Sequence, residues 1–161
     1  MTGIKLINSI ANVLKDDILA NIKYLPSVPK VFKHDIPLSS DYEYEGDTEE
    51  TAEEKYFPCC IVRMANMKIS DASKPQESTV EIVTVIKDWA EDMSGYETLI
   101  IVLERIRDYF IGHAGIPEKY RLNYPVEIAI NKETTTPYYM GSVILRWSAE
   151  YTDYIDVQKY V

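Results

Sequence analysis

The chain has 161 residues, the length of one ordinary domain, and can bury a hydrophobic core without disulfide or metal support. Hydrophobic residues make up 46% and charged residues 27%, which is the profile of a soluble globular protein. The net charge is −9, from 17 basic and 26 acidic residues. The basic residues never form a run of three, which argues against a protein that binds nucleic acid tightly through its phosphates.

The acidic residues are concentrated in one short segment. Eight acids and no Lys or Arg lie between residues 41 and 54, so the rest of the chain has a net charge of only −1. This composition predicts a solvated loop, or a short hairpin, inserted at about residues 39–55. The eight acids of this acidic insert are Asp41, Glu43, Glu45, Asp47, Glu49, Glu50, Glu53 and Glu54.

Neither a membrane span nor a secreted disulfide framework is expected. No apolar stretch approaches the length of a transmembrane helix, and the N-terminal residues lack the apolar region of a secretory signal. Cys59 and Cys60 are adjacent, and adjacent cysteines can be bridged only with strained geometry. These features predict a protein of the reducing cytoplasm that contacts no membrane.

The first predicted element is a helix over residues 3–24, because apolar residues recur there at steps of three and four. Thr2 is a suitable N-cap, and Pro26 ends the helix nearby. Residues 25–38 contain three prolines and predict an edge strand or an extended connector. Two strands follow the acidic insert, over residues 57–69 and 79–86, with a turn between them.

A second helix is predicted to begin after a polar loop at residues 88–94. Its first residues, Ser94-Gly-Tyr-Glu97, match the capping box, in which the serine hydroxyl and the glutamate carboxylate bind backbone N–H groups. The helix is expected to run to about His113, where Gly112 and Gly115 are suitable for a left-handed C-cap.

Two further strands, over residues 123–131 and 138–151, complete the predicted elements, and residues 152–161 predict a short extended tail. Runs of strands with a helix at each break are typical of α+β domains. We therefore expect residues 1–161 to form a single α+β domain, with two helices packed on a mostly antiparallel sheet of about four to five strands.

No constellation of reactive groups is evident, so we expect no catalytic residue, no cofactor and no metal site. The only histidines are His34, in the connector, and His113, at a helix C-terminus, where the dipole favours a cationic side chain. Cys59 and Cys60 point to opposite faces of a strand and cannot bind one metal ion together. The common phosphate-loop, dinucleotide, hydrolase and zinc-protease motifs are absent, and the acidic insert lacks the final glutamate of an EF-hand loop.

Tyrosine is unusually abundant, with 13 tyrosines against three phenylalanines. Tyrosine combines an apolar ring with a polar tip and is enriched at protein–protein interfaces, although packing on a sheet face uses it equally well. Loops on a rigid scaffold also commonly carry binding residues. The candidate assembly-interface residues are Trp89, Tyr96, Tyr138, Tyr139 and Tyr154.

The order of elements also resembles a known family. The strand Val80–Asp88, the Gly95-Tyr96 start of a helix and the final strand Gly141–Trp147 are similar to the tail terminator, or tail completion, proteins of long-tailed phages and of contractile particles such as R-type bacteriocins. The resemblance extends from Glu77 to Arg146 and includes the leading helix, but not the acidic insert.

This resemblance implies a small α+β subunit that assembles into a hexameric ring. Such a ring caps the head-proximal end of a tail tube and ends polymerisation of the tube or sheath. The expected partners are other copies of the chain, tail-tube proteins and sheath proteins, and assembly is expected in the bacterial cytoplasm. No catalytic group, cofactor or tight nucleic-acid contact is required for this role.

Two kinds of alternative remain open from the sequence. One is another structural component of the same particle, namely a head-completion, tube or baseplate protein; a tube protein would polymerise into long cylinders rather than rings. The other is a small soluble enzyme, or an inhibitor that mimics DNA with the acidic insert. Mimics of DNA spread their acids over a whole surface, whereas here they are confined to residues 41–54.

Deletion of residues 41–54 tests the prediction that the acidic insert is a solvated loop. A shorter solvated loop changes the closure entropy only slightly, so we expect the midpoint of thermal unfolding to stay within a few degrees of the wild type. Circular dichroism melts of the two chains measure this. Loss of the cooperative transition on deletion would show that the insert belongs to the core.

Overall fold

A computed structural model describes residues 2–23, 25, 27–36, 56–113, 120–133 and 137–149. The acidic insert and the predicted tail therefore lie outside the described residues. The described helices and strands are α1 (Thr2–Val13), β1 (Lys30–Lys33), β2 (Cys59–Lys68), β3 (Glu77–Lys87), α2 (Gly95–Gly112), β4 (Tyr120–Ile130) and β5 (Tyr138–Ala149).

The strands form one five-stranded sheet in the order β1-β2-β3-β5-β4. β1 pairs with β2 in parallel, and every other neighbouring pair is antiparallel. This arrangement confirms the predicted α+β fold with a mostly antiparallel sheet and two helices. β3 lies at the centre, where its 11 residues pair with β5 over their whole length.

Both helices pack on the same face of the sheet, and the alternation of side chains along the strands explains why. In β3, Val80, Ile82 and Ile86 point to one face, where they join a single buried cluster with residues of α1 and α2. In β5, alternate residues from Tyr139 to Ala149 belong to the same cluster. The main core is therefore a layer between this face and the two helices.

The opposite face of the sheet carries a second, smaller cluster. Its buried members are Cys59, Ile61, Val83 and Val85, with Phe32, Ile36, Phe57 and Tyr138 packed around them. Farther along the same strands, this face becomes polar. There Arg63 pairs with Glu81 at 3.0 Å, and Arg146 pairs with Glu127 at 3.1 Å.

The first helix differs from its prediction in its last turns. The regular α-helix ends at Val13, and the chain continues through a wider π turn, Leu14–Ile18, and a 3₁₀ turn, Leu19–Asn21. Leu14, Ile18 and Leu19 stay buried through this change, so the apolar pattern that predicted one long helix holds although the backbone winding changes.

The predicted capping box of the second helix is wrong, and Gly112 does not provide the predicted C-cap. Ser94 has helical backbone angles, and its hydroxyl makes no capping hydrogen bond to the helix backbone. Gly112 is the last residue of α2 and does not adopt a left-handed conformation; His113 ends the helix, and its N–H donates to the carbonyl oxygen of Tyr109. Gly115 lies outside the described residues.

The strand predictions are confirmed, with differences at their ends. The connector contains only the four-residue edge strand β1, and residues 77 and 78, predicted as turn, already pair with β2 and β5. β4 begins at Tyr120 rather than at residue 123, and its pairing with β5 is interrupted between Asn123 and Glu127. The interruption surrounds Pro125, which has no N–H to donate to a neighbouring strand.

The two cysteines lie on opposite faces of β2, as predicted. Cys59 belongs to the smaller cluster, and Cys60 belongs to the main core, where its Sγ lies 3.4 Å from Oγ1 of Thr84. Burial raises the pKa of each thiol to about 12. Both thiols therefore remain protonated in the folded chain under ordinary conditions.

The raised thiol pKa values predict a loss of stability in alkali. Unfolded thiols ionise near their ordinary pKa of 9.0, whereas the folded thiols hold their protons until about pH 12, so a rise in pH through this window favours unfolding. We expect the free energy of unfolding to fall by about 1 kcal/mol per pH unit for each thiol above about pH 9. Urea unfolding at several pH values measures this loss.

The matched control is the Cys59→Ala, Cys60→Ala double variant, since lysines and tyrosines also titrate in alkali. Its stability should fall less steeply than that of the wild type over the same range. Equal slopes for the two chains would contradict the assignment of the alkaline loss to the thiols.

Candidate assembly interface

The loop between β3 and α2, residues 88–94, is held in shape by its first residue. The N–H of Asp88 donates to the carbonyl oxygen of Pro137 at 2.8 Å, which fixes the loop to the start of β5. One carboxylate oxygen of Asp88 accepts the N–H of Ala90 at 2.8 Å, and the other accepts the hydroxyl of Ser94 at 3.2 Å. One side chain thus connects both ends of the loop.

The second half of the loop is held by a further carboxylate. Oδ1 of Asp92 accepts the N–H of Ser94 at 3.1 Å. Hydrogen bonding with the side chain and the backbone of Ser94 lowers the pKa of Asp92 from its usual value. The N–H of Tyr96 then donates to the carbonyl oxygen of Met93 at 3.1 Å. The hydroxyl of Ser94 is thus directed to Asp88, which explains why the predicted capping box does not form.

The buried side chain of Tyr139 packs against the end of the loop and the start of α2. Tyr139 is fully buried, and its ring lies so close to Gly95 that a Cβ on Gly95 would overlap it. The ring of Tyr96 meets it edge-on, with centroids 4.8 Å apart and an interplanar angle of 75°. The Tyr139 hydroxyl donates to Sδ of Met93 at 3.6 Å, and Met93 itself has a positive φ of 62°.

The surface of this loop exposes large apolar side chains. Trp89 is 69% exposed and Met93 is 48% exposed. Nζ of Lys87 lies 5.6 Å from the centroid of the Trp89 ring and 6.0 Å from that of Tyr138. Tyr138 in turn packs on Phe57, with centroids 5.2 Å apart. We refer to Lys87, Trp89, Met93, Tyr138 and Phe57 together as the loop surface.

The loop surface has the properties of a binding site rather than of a disordered connection. Its backbone is fixed by internal hydrogen bonds, so little conformational entropy would be lost on binding. Tryptophan is enriched among the residues that contribute most of the binding energy at protein interfaces. The loop surface is therefore the candidate interface of the described residues.

The structure brings together some of the candidate interface residues and separates others. Trp89 and Tyr138 meet around Lys87 on the loop surface. Tyr96 and Tyr139 pair with each other beneath the start of α2, so Tyr139 supports the loop and does not face a partner. Tyr154 and the eight acids of the insert lie outside the described residues.

The roles of Asp88 and Met93 were not predicted from the sequence. Asp88 begins the predicted polar loop, and an aspartate two residues before a turn N–H is a common turn former. The positive φ of Met93 had no signal in the sequence, because such a conformation is rare for a methionine and depends on its surroundings.

The histidines take part in local packing. The ring of His113 stacks on that of Tyr109 with centroids 4.1 Å apart, and its Nδ1 lies 2.9 Å from the carbonyl oxygen of Tyr109. His34 follows β1 with a positive φ of 72° and is exposed. Within the described residues, no group of three or more His, Cys, Asp or Glu side chains could hold a metal ion.

Comparison with protein-family models and with curated proteins returned no match for this chain. No helix in the described part of the chain is long and apolar enough to cross a membrane.

Replacement of Gly95 tests the support of the loop by Tyr139. In Gly95→Ala, the added methyl group would overlap the Tyr139 ring and force it to move. We expect a cost of about 1–3 kcal/mol, seen as a fall of about 3–10 °C in Tm by calorimetry.

Gly112→Ala provides the matched control, since a Cβ at Gly112 meets nothing within 4 Å. This variant should be as stable as the wild type or more so, because alanine favours the helix. An equal loss of stability in the two variants would contradict a specific contact between Gly95 and Tyr139.

Proposed function

We propose that this protein is a structural assembly protein of the tail-terminator type. Its copies form a ring, hexameric as in the family that it resembles, which caps the head-proximal end of a tail tube. The ring ends polymerisation of the tube or sheath. It is assembled in the bacterial cytoplasm as part of a phage or of a phage-tail-like particle.

The observation that carries this proposal is the loop surface. Trp89 is absent from the buried core and lies on a loop fixed by Asp88, so the chain keeps a large apolar ring in water. Such an arrangement is favourable when a protein partner covers the ring. An assembly protein therefore accounts for a feature that a monomer would not need.

The fold is also suited to ring formation. Closure of a ring requires a heterologous interface, in which one surface of each copy binds a different surface of the next. Among the described residues both helices pack on one face of the sheet, and the loop surface lies at one end of it, where it is available for such a contact. Neither ring closure nor capping requires a catalytic group or a cofactor.

The charge distribution fits a channel through which DNA passes. Outside the acidic insert the chain has a net charge of −1, and its basic residues are scattered. A wall rich in Lys and Arg would bind phosphates by counterion release and would retard the DNA. The proposed partners are thus other copies of the chain, tube proteins and sheath proteins, without tight contact to nucleic acid.

The oligomeric state of the purified chain tests the proposal. We expect light scattering coupled to gel filtration to give about six times the chain mass, and negative-stain micrographs to show rings. In Trp89→Ala the oligomer should dissociate at concentrations at which the wild type is assembled, because the anchor is lost. Its Tm should match that of the monomeric wild type, since Trp89 is largely exposed.

Ile101→Ala is the control variant, because it removes another exposed apolar side chain from the outer surface of α2. Its rings should match those of the wild type. Long cylinders would instead identify a tube component, and a wild-type chain that stays monomeric at high concentration would contradict the proposal.

A further inference from the structure

A second exposed apolar surface lies at the end of the sheet opposite to the loop surface. β2 and β3 are antiparallel, so the end of β2 is far from the end of β3, where Trp89 follows. At the end of β2, Met67 is 57% exposed and the nearby Ile69 is 53% exposed. These side chains are not members of the main core and lie at the end of the sheet.

The beginning of α1 contributes to the same surface. A Cβ placed on Gly3 would lie 3.2 Å from Cε of Met64 and 3.2 Å from Sδ of Met67, so the backbone of Gly3 rests on these two methionines. The next residue, Ile4, is 53% exposed. We refer to Ile4, Met67 and Ile69 as the methionine patch. Methionine side chains adapt their shape easily and are well suited to receive an aromatic ring.

The two surfaces differ in their balance of charge, with more acids than bases around the loop surface and more bases than acids around the methionine patch. Lys87 belongs to the loop surface, and Asp71 and Glu77 lie beside Lys74 and Lys68. Exposed Glu91 and Asp92 lie between Trp89 and the end of the loop. Around the methionine patch lie the exposed lysines Lys5 and Lys68, with Lys74 in the turn that follows β2. Opposite charges favour binding of the loop surface to the methionine patch, and they disfavour binding of either surface to the same surface of another copy.

We propose that the loop surface of one copy of this chain binds the methionine patch of the next copy. In this contact Trp89 and Met93 pack on Met67 and Ile69, while the loop acids face the lysines. The inference rests on the proposed function, because it names the surfaces by which the copies join. The occupant of each surface is thus a second copy of the same chain.

The positions of the two surfaces determine the kind of assembly. They lie at opposite ends of β3, which at about 3.3 Å per residue separates them by about 35 Å. The contact continues from copy to copy when the loop surface and the methionine patch of one chain bind two different neighbours. The series closes into a ring when the rotation at each contact is a whole fraction of a full turn, as the proposed function requires.

A mixing experiment with two variants tests this contact. The Trp89→Ala chain lacks the loop anchor and keeps the methionine patch, whereas the Ile69→Asp chain has a damaged patch and keeps the loop. Both residues are more than half exposed, so both variants should fold, which circular dichroism melts verify. We expect each variant alone to be monomeric, with self-association at least about tenfold weaker than that of the wild type.

An equimolar mixture of the two variants should behave differently. One intact contact remains between the loop of the Ile69→Asp chain and the patch of the Trp89→Ala chain. We therefore expect a heterodimer by light scattering, and nothing larger, because both outer surfaces of that dimer carry a substitution.

A second measurement locates the contact without relying on its strength. Chains carrying Trp89→Cys and chains carrying Ile69→Cys are mixed and oxidised, and the products are separated on a non-reducing gel. The mixture should form a cross-linked dimer in far higher yield than a mixture of Trp89→Cys with Ile101→Cys. The native cysteines are buried, with pKa values of about 12, and do not compete.

The remaining outcomes separate this inference from the proposed function. Rings that persist in both the Trp89→Ala and the Ile69→Asp chains would overturn the inference and leave the ring proposal standing. Dimers of the Ile69→Asp chain alone would show a contact of loop with loop and would also overturn the inference. A wild-type chain that remains monomeric would overturn both.

Discussion

The contact between the Tyr139 ring and Gly95 is the constraint on which the rest of the candidate interface depends. Only a residue without a Cβ allows this ring to lie beneath the first turn of α2. The buried ring then positions Tyr96 at its edge and Met93 at its hydroxyl. As a result, the loop that begins at Asp88 is attached to the core at both ends, and the backbone that carries Trp89 is fixed.

The placement of both helices on one face of the sheet has a second consequence. The central strand β3 is covered by the main core on one face, is covered by the smaller cluster at Val83 and Val85 on the other, and pairs with β5 over its whole length, so it connects the two ends of the sheet at a fixed distance. Trp89 follows one end of that strand, and Met67 lies at the other. The distance between the two apolar surfaces is therefore fixed, which is the property that a repeating contact between copies requires.

Features that depend on the alternation of apolar residues were predictable from the sequence. The strands, the opposite faces of Cys59 and Cys60 and the α+β arrangement all follow from such alternation. Tyr139 was predicted as an interface residue instead, although the alternation of β5 continued back from Val143 places it on the core face. The hydrogen-bond partner of the Ser94 hydroxyl was not predictable, because Asp88 replaces the helix backbone as its partner in the folded loop. The conformation of Met93 likewise depends on tertiary contacts.

The central claim is that copies of the chain join through the exposed ring of Trp89, and tryptophan fluorescence of the wild type tests it most directly. The other tryptophan, Trp147, is already buried against Phe110, so its emission should not respond to association. The account predicts that the emission moves to shorter wavelength, and that quenching by acrylamide decreases, over the concentration range in which oligomers form. Oligomers that form without a change in emission or quenching would contradict the account.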